Sequence, residues 1–91
     1  MDSSINYPYG IPFFTDKNFI SVNFINNEDC ILSLYFVKDK KIQSLAGIIL
    51  KHEKKKYHFP ENSICAIITD KNPKIVQCYI KLQDGWTYTY P

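Results

Sequence analysis

The chain has 91 residues, 45% of them hydrophobic and 22% charged. This is ordinary globular usage, which excludes a disordered or collagen-like polymer and suffices for one core. Three Gly leave little scope for a phosphate-cradling loop, and all 11 positive charges are Lys, for a net charge of +2. Without the bidentate fork of Arg, base-specific reading of a duplex is disfavoured.

Residues 1–17 are set apart by composition. Tyr7-Pro8-Tyr9-Gly10-Ile11-Pro12-Phe13-Phe14 carries two prolines among four aromatics, which prevents a helix and disfavours a central strand. An extended arm is expected, its rings pinned on its own domain or on a neighbour. The arm lacks the cationic and continuous apolar regions of a secretory signal. No apolar stretch approaches the ~20 residues that span a bilayer. A cytoplasmic protein without membrane contact is the expectation.

Residues 18–91 read as a single β-rich domain. Phe19–Ile25 alternates, with Ile20, Val22 and Phe24 on one face. After Asn26-Asn27-Glu28-Asp29, Cys30–Val37 alternates again, with Cys30, Leu32, Leu34 and Phe36 on one side. Two period-two runs around an Asx-rich turn predict a hairpin. Between 38 and 59 the pattern is double. Ile42, Leu45, Ala46, Ile49 and Leu50 fit a helical stripe over about 40–54 with Asp39 as cap, but Gly47 would cost about 1 kcal/mol in mid-helix. The β-branched pairs favour strands: Ile42–Leu50, a basic turn at His52–Lys56, then Tyr57-His58-Phe59.

Ser63–Thr69 is apolar on both faces, as suits a central covered strand. A turn at Asp70-Lys71-Asn72-Pro73 leads into Ile75–Leu82, with Val76, Cys78, Ile80 and Leu82 inward. Asp84-Gly85 then turns into Trp86-Thr87-Tyr88-Thr89-Tyr90, a strand by period and propensity. Phe19, Ile25, Ile31, Tyr35, Val37, Ile75 and Tyr79 fall on the faces opposite the core. A solitary sheet has one face to bury, so two apolar faces imply a layered or closed structure. The predicted fold is an all-β antiparallel barrel or sandwich of five to seven strands with an N-terminal arm; the rival is α+β with one helix.

No catalytic set emerges. His52 and His58 flank a polar lysine turn, and no Gly-x-Ser-x-Gly elbow is present. Cys30, Cys65 and Cys78 sit in apolar runs where a thiol behaves as a small hydrophobe. Their spacing matches no zinc pattern even with a histidine as fourth ligand, so neither metal nor cofactor is expected. Lys38, Lys40, Lys41, Lys51, Lys54, Lys55 and Lys56, opposed by Asp39 and Glu53, leave five positive charges in excess within nineteen residues. A solvated face that keeps strand edges from aggregating is the ordinary reason for such lysines.

The expectation is a non-enzymatic protein-binding module (a stoichiometric inhibitor, immunity-type protein or adaptor) forming a homodimer and meeting its partner through Tyr7, Tyr9, Phe13, Phe14, Tyr35 and Tyr79. Tyr offers large contact area at low entropy cost. The alternative is a small barrel that binds single-stranded nucleic acid, with Lys54, Lys55 and Lys56 on phosphates and Trp86, Tyr88 and Tyr90 stacking on bases.

Overall fold

A computed structural model describes residues 6–9 and 18–91. Seven strands follow one another: β1 (Phe19–Asn26), β2 (Leu32–Lys38), β3 (Lys41–Ile49), β4 (Lys54–Pro60), β5 (Ile64–Thr69), β6 (Val76–Lys81) and β7 (Trp86–Tyr90). They form a three-stranded sheet, order β4-β1-β7, and a four-stranded sheet, order β3-β2-β5-β6. The all-β sandwich agrees with the sequence reading. The helix over 40–54 does not form: β3 and β4 occupy it, and Asp39 sits with Lys40 in a tight turn at φ 53° and 64°. That positive-φ pair matches the twist of a two-residue hairpin.

Three expectations are corrected. Phe19–Ile25 and Cys30–Val37 are not a hairpin, because β1 and β2 belong to different sheets. Alternation fixes which side chains point inward, and two inward rows can lie side by side in one sheet or face each other across a core. The turn decides between the two. Asn26 is 1% exposed, and its amide donates to the carbonyls of Cys30 (2.6 Å) and Leu50 (3.0 Å) while its side-chain oxygen accepts from the Glu28 N–H (3.0 Å). The chain arches from one layer to the other around this side chain.

Second, the sheets are not wholly antiparallel, since β7 runs parallel to β1. The turn at Gly85 (φ 80°) leads between layers, so no hairpin dictates the direction of β7. The whole intervening domain supplies the long crossover that a parallel pair requires. Third, Val76 does not face inward. Ile67 pairs with Cys78 but Ile68 with Val76, so a bulge at Gln77 reverses the alternation. The β5–β6 hairpin itself forms as read.

Between the layers Phe24, fully buried, meets Tyr57, Phe59 and Tyr88 at ring-centroid distances of 5.8, 6.3 and 6.1 Å. Phe36 stands edge-on to Phe59 at 5.5 Å. Leu32, Leu34, Ile49 and Ile67 complete the centre. These offset and edge-to-face geometries suit ring quadrupoles.

Gly47 is where β3 must leave room for Tyr57. A Cβ there would lie 2.7 Å from the tyrosine Cζ and closer still to its hydroxyl. Phe24 and Phe59 pack against the same ring, so it has no space to withdraw into. We expect Gly47→Ala to lower unfolding free energy by about 2 kcal/mol, as overpacking does, and a second change, Tyr57→Phe, to recover part of that loss. Chemical denaturation measures both; an alanine variant as stable as the parent would contradict the assignment.

Candidate functional site

The residues singled out from sequence divide among separate surfaces. On the four-stranded sheet, pairing places Leu45, Tyr35, Ala66 and Tyr79 in one cross-strand row on the solvent side. Ile48, Ser33, Ile68 and Val76 form the next row. This face is apolar almost throughout. Tyr79 is 59% exposed, while Tyr35 is half-buried between its neighbours. Beside the first row, Val37, Asp39, Lys40, Ile64 and Tyr79 line a depression of about 400 Å³. Val37 and Ile64 also border a second depression of about 420 Å³ running to Gln43 and Glu61. Ile64 and Ile42, both exposed, are not among the contact residues expected from sequence. Ile64 belongs to a strand apolar on both faces, and nothing local says which face a neighbouring layer covers.

Of the arm, residues 6–9 are described, and they run along the edges at β4 and β3. The Asn6 N–H donates to the Lys56 carbonyl (3.0 Å) and the Asn6 carbonyl accepts from the His58 N–H (2.9 Å), which pairs the arm with β4. Three residues later the Tyr9 N–H donates to Ala46 on β3 (2.7 Å). Residues 6–9 thus lace together one edge of each sheet. Tyr7 lies edge-on to His58 (5.6 Å) and Phe19 (6.0 Å), against the three-stranded layer. Tyr7 therefore lies on the three-stranded layer, away from Tyr35 and Tyr79, while Tyr9 meets the β3 edge of the four-stranded sheet. Phe13 and Phe14 lie outside the described residues.

The residues of the nucleic-acid reading are also divided. Lys54 and Lys56 stand exposed on β4, on the solvent side of the three-stranded sheet with Asn23 and Thr87. Lys55 is turned aside: its ammonium donates to the Ile48 carbonyl (2.9 Å) and lies 3.8 Å from Glu53. Tyr88 and Tyr90 pack against the core on the other side of that sheet, and Trp86, in the same row, is 41% exposed. Alternation along a strand separates the free lysines from the tyrosines, so no single surface combines phosphate contacts with stacking on all three rings.

The nucleophile candidates are dispersed. His52 pairs with Asp29 at 2.7 Å on the open surface, whereas His58 lies under Tyr7. The hydrogen bond from His52 and its nearby charge hold Asp29 below the usual carboxylate range. Burial pushes the Cys65 thiol up to about 12. Burial, with Asp70 adding to it, also raises Cys30. Cys78 lies 3.2 Å from the Tyr88 hydroxyl. Among the described residues no three of His, Cys, Asp and Glu gather as a ligand set, and no helix is long and apolar enough to cross a membrane.

Comparison with known protein families, curated proteins and solved structures finds no match.

With a pKa near 12, about one Cys65 in ten thousand is ionised at pH 8. A thiol reagent at that pH should leave Cys30 and Cys65 unmodified in the folded chain and reach all three cysteines in denaturant. Labelling of Cys65 under native conditions at the rate of a free thiol would contradict this placement.

Proposed function

We propose that this chain is a non-enzymatic protein-binding module whose contact surface is the outer face of the four-stranded sheet, centred on Tyr35 and Tyr79. The observation that carries the reading is the pair of apolar cross-strand rows on the solvent side, next to the depression at Val37, Ile64 and Tyr79. A face of this kind rimmed by polar groups fits protein contact. Tyr79 supplies an exposed ring at the edge of the depression, a side chain enriched among residues that carry binding energy.

The rim gives the partner its chemistry. Lys38, Lys40 and Lys81 are exposed near the apolar rows. The Asp70 carboxylate is held by the Ile31 N–H (2.9 Å) and the Asp84 carboxylate by the Ser21 N–H (2.9 Å). A complementary surface offers an apolar side chain for the depression and carboxylates for the lysines. Its binding rests on buried apolar contact, with charge assisting encounter, so it tolerates salt far better than phosphate contacts do.

The test compares the immobilised chain with an Ile64→Asp/Tyr79→Asp variant, using native-host extract treated with nuclease. The proposal expects one protein retained through a high-salt wash and its affinity reduced at least about tenfold by the variant, or ~1.4 kcal/mol. Equal retention by the variant, or a ligand lost on nuclease treatment, would overturn the reading.

A further inference from the structure

The two open sides of the sandwich are treated differently. On one side both sheet edges are occupied. The outward backbone of β3 is met by the Tyr9 N–H at the Ala46 carbonyl and by the Lys55 ammonium at the Ile48 carbonyl. Asn6 pairs with the outward edge of β4. Edge strands are commonly blocked in this way, because unpaired backbone groups template association.

Among the described residues the other side has no such cover at β6. The Leu82 N–H donates to the Ser63 carbonyl (3.0 Å), which fixes the phase of the β5–β6 ladder. Antiparallel pairs alternate between bonded and non-bonded, so Ile80 and Cys78 bond to β5 while Tyr79 and Lys81 turn their N–H and C=O groups to the free edge. A bond across β5, from the Asp70 N–H to the Ile31 carbonyl (3.1 Å), gives the same phase. Among the described residues nothing pairs with the outward backbone of Tyr79 and Lys81.

We propose that β6 pairs antiparallel with β6 of a second copy, joining the two four-stranded sheets across a two-fold axis at Ile80. The occupant follows from self-complementarity. The bulge at Gln77 confines regular pairing to Cys78–Leu82, and this excludes a longer overlap toward Val76. Within that stretch, centring on Lys81 would set two ammonium groups opposite each other, which is destabilising. Centring on Ile80 instead sets Tyr79 opposite Lys81 of the second copy, twice by symmetry. Each pair exchanges two backbone hydrogen bonds, four in all, and lays a lysine against a tyrosine ring on the outer face, a cation–π arrangement. Both side chains are exposed in the single chain and free to adopt it. The bonds are main-chain and need no other protein, but the Tyr79 ring and Lys81 are shared with the proposed partner face, so amide exchange at Tyr79 and Lys81 of the isolated chain is what tests the pairing by itself.

The test uses the full chain at micromolar to millimolar concentration. Light scattering is expected to show a concentration-dependent dimer. Amide hydrogen exchange is expected to slow at Tyr79 and Lys81 as concentration rises, while exchange at exposed turns stays constant. Lys81→Pro removes only an outward N–H, a place where an edge strand accepts proline. It should give a folded monomer by circular dichroism and light scattering. Tyr79→Ala keeps the backbone bonds and should weaken the dimer several-fold. A parent chain monomeric at millimolar concentration, or fast exchange at both amides at every concentration, would overturn the proposal. So would a folded Lys81→Pro chain that dimerises as the parent does.

Discussion

The architecture depends on one buried amide. Asn26 lies at the end of β1 where the chain leaves the first layer, and its side chain holds Cys30 at the start of the second layer and Leu50 at the return from β3 to β4. Its own N–H donates to the Glu53 carbonyl (2.9 Å). Two crossings between sheets are thereby tied to one another at one end of the sandwich. A buried polar group costs free energy unless it is paired, and here the side chain's donors and its acceptor all have partners. Hydrophobic burial drives the two layers together without direction. The directional bonds at Asn26 determine that β1 and β2 face each other rather than lie side by side.

From that node the remaining features follow in order. With β1 and β2 in separate layers, the inward rows Val22–Phe24 and Leu32–Leu34 become opposing walls of one core, and Phe24 becomes its aromatic hub. β3 then lies at an edge, close enough to β4 for Tyr57 to need the missing side chain of Gly47. Residues 6–9 cover that same side. Among the described residues none covers the β6 edge or the outer face beside Tyr79, and both proposed contacts arise there, one through side chains and the other chiefly through main chain.

Much of this was legible in the sequence. The strand segments, the β5–β6 hairpin and the strand character of 41–49 follow from period two, β-branching and a glycine badly placed for a helix. The layer to which each strand belongs was not legible, because an arch and a hairpin share the same alternation and the same Asx-rich turn composition. The Gln77 bulge was equally hidden: one extra residue reverses the face of Val76 without changing any residue type. At the candidate surface, Tyr35 and Tyr79 were recoverable from their outward positions. The placement of Tyr7 on the other layer was not, because the edge along which residues 6–9 run is a tertiary fact. Lys55 shows the same limit, since a lysine in a basic run reads as solvated until a neighbouring edge carbonyl claims it.

The most direct test of this account is urea unfolding of Asn26→Ala beside Asn27→Ala, the exposed neighbour whose amide makes one long contact with Pro91 (3.4 Å). Removing the donor of the Cys30 carbonyl, one of the two donors of the Leu50 carbonyl (the Glu53 N–H remains, 3.1 Å) and the acceptor of the Glu28 N–H should remove about 3 kcal/mol of stability, against less than about 0.5 kcal/mol for the neighbour. Equal, small losses at both positions would show that apolar packing alone fixes the arches, and that the buried amide does not.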